Sequence, residues 1–315
     1  NGDINKQWLK NASAQQIELE ASWQISRMQA MDAYIGLRAK DNIYEMAGLA
    51  EEKLAMYNKL LLEPVHHDIR VAHTKWVILR YPNDSMAQEA KMATDDFREF
   101  YFNVCNLDYA KMSQAMTPLQ DLLNKSQEIQ VIAPGTDLRF KIAGIGAVKC
   151  DGHRNIPDGE VYTAPVKDSV EGYISYNTPS SHQGKTYENI RLEFQKGKII
   201  KAEAGPYTDA INKIFDMDEG SRYIGEFAFG LNPHILRPVN DILFDEKITG
   251  SIHFTPGSCY TDAYNGNKSG LHWDLVTILR EDFGGGEIYC DGNLIQKNGI
   301  FVLPELDGLN RENLL

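Results

Sequence analysis

The chain has 315 residues, of which 43% are hydrophobic and 24% charged, and its 44 acidic side chains outweigh 32 basic ones for a net charge of −12. That usage is ordinary for a globular protein and excludes wholesale disorder, collagen-like and low-complexity classes. The acidity argues against nucleic-acid or anionic-membrane partners, which recruit concentrated Lys and Arg.

At roughly 150 residues per domain the length suits two domains. The first 125 residues read mainly as helix. The segments 18–39 (ELEASWQISRMQAMDAYIGLRA) and 42–65 (NIYEMAGLAEEKLAMYNKLLLEPV) repeat apolar residues at three and four, with Met46, Leu49, Leu54 and Leu61 on one broad stripe. KWVILRYP (75–82) breaks that rhythm and reads as a buried strand stopped by Pro82. NDSMAQEAKMA (83–93) restarts a helix, with Asn83, Asp84 or Ser85 as its cap. This predicts a helix-rich α/β domain over 1–125, and the boundary falls in the polar stretch 122–128.

From there the chain is strand-rich. EIQVIAPG, DLRFKIAGI, GEVYTAP, YENIRLEFQKGKIIKAEA, GSIHFT, LHWDLVTIL, GEIYCDGNLIQ and GIFVLP are punctuated by Gly, Pro, Asp and Asn, and one helix is expected at 208–218. The prediction for 126–315 is an α+β domain. No apolar run reaches the roughly 18–20 residues that span a bilayer. The polar opening NGDINKQWLKN does not resemble a signal peptide. Cys105, Cys150, Cys259 and Cys290 are scattered without a CxxC pair, the pattern of a reducing, cytoplasmic setting.

The polar residues that can do chemistry lie in the second half. Glu160 follows Asp158-Gly159 at the start of an apolar run, and Glu226 sits inside the apolar stretch YIGEFAFG. A carboxylate there must be paired, hydrogen-bonded or metal-bound, because burying it ionised and alone is costly. His272 and Asp274 form an H-x-D pair; in a strand, i and i+2 share a face, so the two project side by side. With His253 they give two imidazoles and three carboxylates, a set that suits a pair of divalent cations. Tyr260 can ligate or donate to a developing oxyanion. Each element also has a plain structural reading: a turn glutamate, a His–Asp pair, a packed tyrosine. No single spacing is specific in the way HExxH is. His66, His67 and His73 lack a zincin glutamate and read as a packed or solvated face, Gly284–Gly286 as a hairpin turn, and Cys259 as a packed thiol.

RNIPDGEVYTAP, YIGEFAFGLNP, GSIHFTPGSCY, SGLHWDLV and FVLPELDGLN resemble, in order, the signature segments of the thermophilic-type metalloaminopeptidases, the family of aminopeptidases T, S and PepS. ASWQISRMQAMDAYIGLRA and WVILRYPNDSMAQEA resemble that family's N-terminal domain, so the resemblance spans essentially the whole chain. It implies removal of N-terminal residues from peptides by water activated between two divalent ions (Zn, Co, Mg or Mn), in a cytoplasmic homodimer. Carried over by motif, it assigns Glu160, Glu226, His253, Tyr260, His272 and Asp274 to the metal centre, with Glu226 and Tyr260 also in catalytic roles. Because the chain begins at Asn1, without the family's opening strand–helix series, the expectation is an N-terminal domain lacking its first segment. A metal-dependent amidase or deacylase, and a non-catalytic metal-binding protein, are the alternatives.

Overall fold

The structure, a computed structural model, describes residues 2–39, 41–42, 45–46, 48–182 and 185–315. It divides into two compact units: Asn1–Gln88 with His153–Ile156, and Glu89–Gly152 with Pro157–Leu315. Among the described residues no helix is long and apolar enough to cross a membrane. The chain is mixed α/β, helical toward its N-terminus and strand-rich toward its C-terminus.

In the first unit, Ser13 and Gln16 close a reciprocal capping box at the start of the helix Ala14–Gln29. Leu9, Ala12, Ile17, Ala21 and Leu61 form this unit's core. Segment 18–39 is not one helix. It ends at Gln29, and Ala33–Arg38 is a strand running parallel to Lys75–Arg80, the strand expected at 75–82. Lys75–Arg80 is not buried along its whole run as expected: Ile78 is buried, and its other residues are partly or fully exposed. Helical periodicity in AYIGLR lost to pairing: Tyr and Ile favour the pleated surface, and Gly36 weakens a helix. Asn155–Ile156 adds a third parallel strand. The next helix begins at Glu51 rather than near 42; Gly48 has φ +82°, and Ile43, Tyr44 and Ala47 lie outside the described residues. It runs on into a π-helical stretch, Asn58–Val71. There His66 is packed: its Nδ1 accepts from Arg70 Nε at 3.2 Å, and burial followed by the Arg70 and Arg38 charges lowers its pKa to about 4. Asn83 caps the helix Asp84–Glu89 by accepting from the Met86 amide.

The helices Thr94–Cys105 and Tyr109–Lys125 belong to the second unit, so the compact units part after Gln88, ahead of the compositional change at 122–128. The reason is packing, since Met112, Met116, Leu119 and Leu123 enter the same core as the strands that follow. One sheet is eight-stranded and antiparallel. A second has five antiparallel strands in the order Val276–Ile278, Ser251–Pro256, Ile224–Gly230, Glu160–Thr163, Val148–Cys150, and Ser180–His182 pairs with Lys185–Tyr187 in a two-stranded ribbon. The expected helix at 208–218 is Thr208–Phe215. The three glycines at 284–286 link the last strand of the smaller sheet to a strand of the larger one, a connection between sheets rather than a hairpin turn.

An aromatic cluster spans the two sheets: Phe140 lies 5.0 Å from Phe227 and 5.1 Å from Phe254, and Phe194 5.7 Å from Phe254, centroid to centroid. Phe227 and Phe254 are cross-strand partners. Truncating Phe227 to Ala should cost about 3–5 kcal/mol by removing transfer energy and leaving a cavity. Urea unfolding of the two proteins measures it, and a loss below about 1 kcal/mol would show that this cluster is not what holds the sheets together.

Candidate metal centre

Every residue of Ile224–Gly230 and of Ser251–Pro256 is buried, so both faces of these strands are covered. On one face Val161, Phe227, Phe229, Ile252 and Phe254 enter the aromatic core. Alternation sends Glu160, Glu226 and His253 to the other. Glu226 reaches that face through a bulge. Ile224 and Phe227 both sit in the core, and the ladder slips one residue between Ile224 and Glu226 to allow it. Gly225 occupies the slip, where a Cβ would lie 2.2 Å from the Ser258 carbonyl oxygen, so no other residue fits without moving backbone.

Five of the six expected residues converge. His253 Nε2 is 3.2 Å from Glu226 Oε1 and 3.6 Å from Glu160 Oε2. His272 Nε2 is 3.3 Å from both Glu226 Oε2 and Asp274 Oδ1. Two groups able to hold a cation result, Glu160–Glu226–His253 and Glu226–His272–Asp274, each with its ligand atoms within 4.8 Å of one another. Glu226 belongs to both, one carboxylate oxygen turned toward each imidazole.

The juxtaposition expected of the H-x-D pair is present, but not in a strand. Regular pairing begins at Val276, and His272 makes a single bridge to Gly257. Its position is fixed locally instead: Nδ1 donates to the Ser258 carbonyl at 2.8 Å, and Thr255 donates to Asp274 Oδ1 at 2.8 Å. His253 is held in the same manner, its Nδ1 3.1 Å from the Glu246 carbonyl. Each ring thereby presents Nε2 to the carboxylates, the arrangement that supporting partners impose on metal-ligating histidines. His272 Nε2 and Glu160 Oε2 are buried with no hydrogen-bond partner among the described residues. Orphaned, converging ligand atoms of this kind are what a cation satisfies.

Tyr260 borders the cluster. It is 50% exposed at the rim, and its ring packs 4.8 Å from the His272 ring and 5.6 Å from the Tyr162 ring. Cys259 donates from Sγ to the Asn267 carbonyl, as a packed thiol would. Two neighbours not singled out in the sequence matter here, Glu246 and Lys247. Lys247 is wholly buried, bonded to Glu246, and 3.8 Å from Glu160 Oε1. Their one mark in the sequence is the charged run Asp245-Glu246-Lys247 between apolar neighbours, which does not by itself show that it turns inward.

The charges support one another. Burial alone would raise the Glu226 carboxyl, but the bond from His253 and the nearby His272 imidazole hold it below the usual range. Burial opposes protonation of His253, yet Glu226 and then Glu160 push its pKa up to about 10. His272 is likewise raised, chiefly by Asp274 against the effect of burial. A group raised from 6.5 to about 10 binds more protons folded than unfolded across that interval. Its stabilisation is full below pH about 6.5 and is lost as pH rises through about 10. In chelator, urea unfolding at pH 6, 8 and 10 should show stability falling with pH, and His253→Gln should flatten the fall. An equal slope in the variant would remove His253 as its source.

A family model described as thermophilic metalloprotease (M29) matches residues 1–299. Aminopeptidase AmpS of Bacillus subtilis (strain 168) is 36% identical over 181 residues, which are 51% of this chain and 44% of that protein. The chain spans about half the length of the curated relatives it first matches. Among solved structures, wild-type AmpT from Thermus thermophilus superposes with a TM-score of 0.76 at 21% identity, over 96% of this chain and 85% of that one. A 2,5-dihydroxypyridine dioxygenase from Pseudomonas putida KT2440 superposes at 0.58 with 15% identity, over 94% of this chain and 99% of that one. These likenesses show the fold.

Proposed function

We propose that this chain, which belongs to the thermophilic metalloprotease (M29) family, acts as a metal-dependent aminopeptidase that releases N-terminal residues from peptides at a two-cation centre. The observation that carries the reading is the pair of ligand groups sharing Glu226. Glu160, Glu226 and His253 would hold one divalent ion; Glu226, His272 and Asp274 would hold the other. The donor set fits such ions: two imidazoles and three carboxylates, with orphaned Nε2 and Oε2 atoms turned inward. Zn, Co, Mg and Mn are the candidate metals. Bound ions would supply Lewis acidity, polarising the scissile carbonyl and lowering the pKa of water.

The protein's own part is positional. Glu226 fixes the spacing of the two sites, and the Glu246 and Ser258 carbonyls hold the imidazoles with Nε2 facing in. Tyr260, half-exposed beside His272, would donate its hydroxyl to the oxyanion that develops on the substrate; its ring packing on His272 supports this. The acidic surroundings suit a free α-ammonium group, which an N-terminal substrate brings and a blocked one lacks. The names of the relatives, AmpS among them, support an aminopeptidase over a general amidase or deacylase, and over a non-catalytic metal-binding protein. A homodimer and a cytoplasmic setting complete the proposal, on the family resemblance.

Release of chromophore from aminoacyl arylamides tests it. Activity should vanish in chelator, return with added Zn, Co, Mn or Mg, and be absent on an N-acetylated substrate. Glu226→Gln and Asp274→Asn should lower kcat/KM by more than the ~10–100-fold that loss of a supporting partner costs, with the native fold retained by circular dichroism. Cleavage of the blocked substrate would favour the amidase reading, and near-normal turnover in either variant would remove that residue from the centre.

A further inference from the structure

A third group of metal-capable side chains borders the first two. Cys150, Asp158 and Glu160 bring ligand atoms within 4.8 Å of one another, and Glu160 is common to this group and the Glu226–His253 group. Cys150 and Glu160 are cross-strand partners, and Asp158 precedes Glu160 by two residues. A thiol beside two carboxylates is a donor set that Zn or Co would take. What distinguishes the place is the ammonium already in it. Lys247 has 0% exposure, bonds to Glu246 and lies 3.8 Å from Glu160 Oε1. Asp158 also lies within reach of that charge: burial raises its carboxyl to about 7, and Lys247 is the largest influence opposing the rise.

We infer that Lys247 is a built-in cation that turns Glu160 toward the Glu226–His253 group and closes the Cys150–Asp158–Glu160 group to a third metal ion. The inference rests on the metal-centred reading above and concerns how many ions the centre admits. Charge counting agrees with it. Asp158, Glu160 and Glu246 flank the buried lysine, and Glu226 and Asp274, on the two imidazoles, bring the cluster to five carboxylates. With the ammonium among them they carry at most four negative charges, which two divalent cations already match. A third ion would bring surplus positive charge into a largely buried cluster, while its thiol ligand would have to lose a proton beside Glu160 and Asp158. Lys247 also joins the two supports of one group, because the residue before it, Glu246, holds His253 through its carbonyl.

Equilibrium dialysis against Co²⁺, with absorption spectra of the dialysed protein, tests this without reference to activity. The parent should bind two ions per chain and show no thiolate-to-cobalt charge-transfer band. Lys247→Met should bind a further ion and gain that band as Cys150 exchanges its proton for the metal. Adding Cys150→Ser to the variant should abolish the band. If the Met variant does not fold, as circular dichroism will show, Lys247→Gln keeps a donor for Glu246 and is expected to show the same gain. Unchanged stoichiometry without a thiolate band in a folded variant would overturn the inference and leave the two-cation reading standing. A parent that binds no Co²⁺ would instead overturn that reading and this inference with it, and a parent that already shows the band would overturn the inference alone.

Discussion

The Glu226 carboxylate is buried in a strand covered on both faces, and each of its oxygens lies within 3.3 Å of an imidazole Nε2. An ionised carboxylate in such a place is unfavourable unless its charge is answered. His253 and His272 answer it, and they are in turn held by main-chain carbonyls and flanked by Glu160 and Asp274. Take Glu226 away and two raised imidazoles lose their common partner. The bulge at Gly225, the bond from Thr255 to Asp274 and the buried Lys247 all make sense as parts of that one mutual compensation. The same electrostatics suits cations, since a metal replaces an Nε2 proton and binding is coupled to proton release.

The sheet gives this cluster a rigid base. Core phenylalanines and site residues alternate along the same strands, so the packing that closes the two sheets also sets the direction of Glu160, Glu226 and His253. Phe227 is bonded in sequence to Glu226 and paired across the ladder with Phe254, whose neighbour is His253. A site held on adjacent strands keeps its spacing better than one held on loops. The second group departs from this plan. His272 and Asp274 sit on an irregular segment tied down by Gly257, Ser258 and Thr255. The neighbouring fold that carries a dioxygenase shows that the scaffold alone does not choose a reaction; the donor set and its surroundings do.

Much of the site was legible because buried charge is rare and therefore conspicuous. Glu226 stands out among apolar residues, and His272 and Asp274 have the spacing that places them side by side. Lys247 was not legible: lysine is usually solvent-exposed, and nothing local shows that a DEK run turns inward. Ala33–Arg38 reads as helix from sequence because its apolar spacing continues that of the preceding helix, while its parallel partner is more than 40 residues away at Lys75–Arg80. The compositional change at 122–128 marks where strands begin, but Met112, Met116, Leu119 and Leu123 already pack with those strands. Local composition reports element type; compactness depends on contacts distant in sequence.

The central claim is that one carboxylate serves two cation sites. An anomalous difference map from crystals grown with Co²⁺ examines it most directly. The account predicts two peaks roughly 3.5–4 Å apart, one bounded by Glu160 and His253, the other by His272 and Asp274, with Glu226 reaching both. A single peak, or two peaks of which only one touches Glu226, would contradict it.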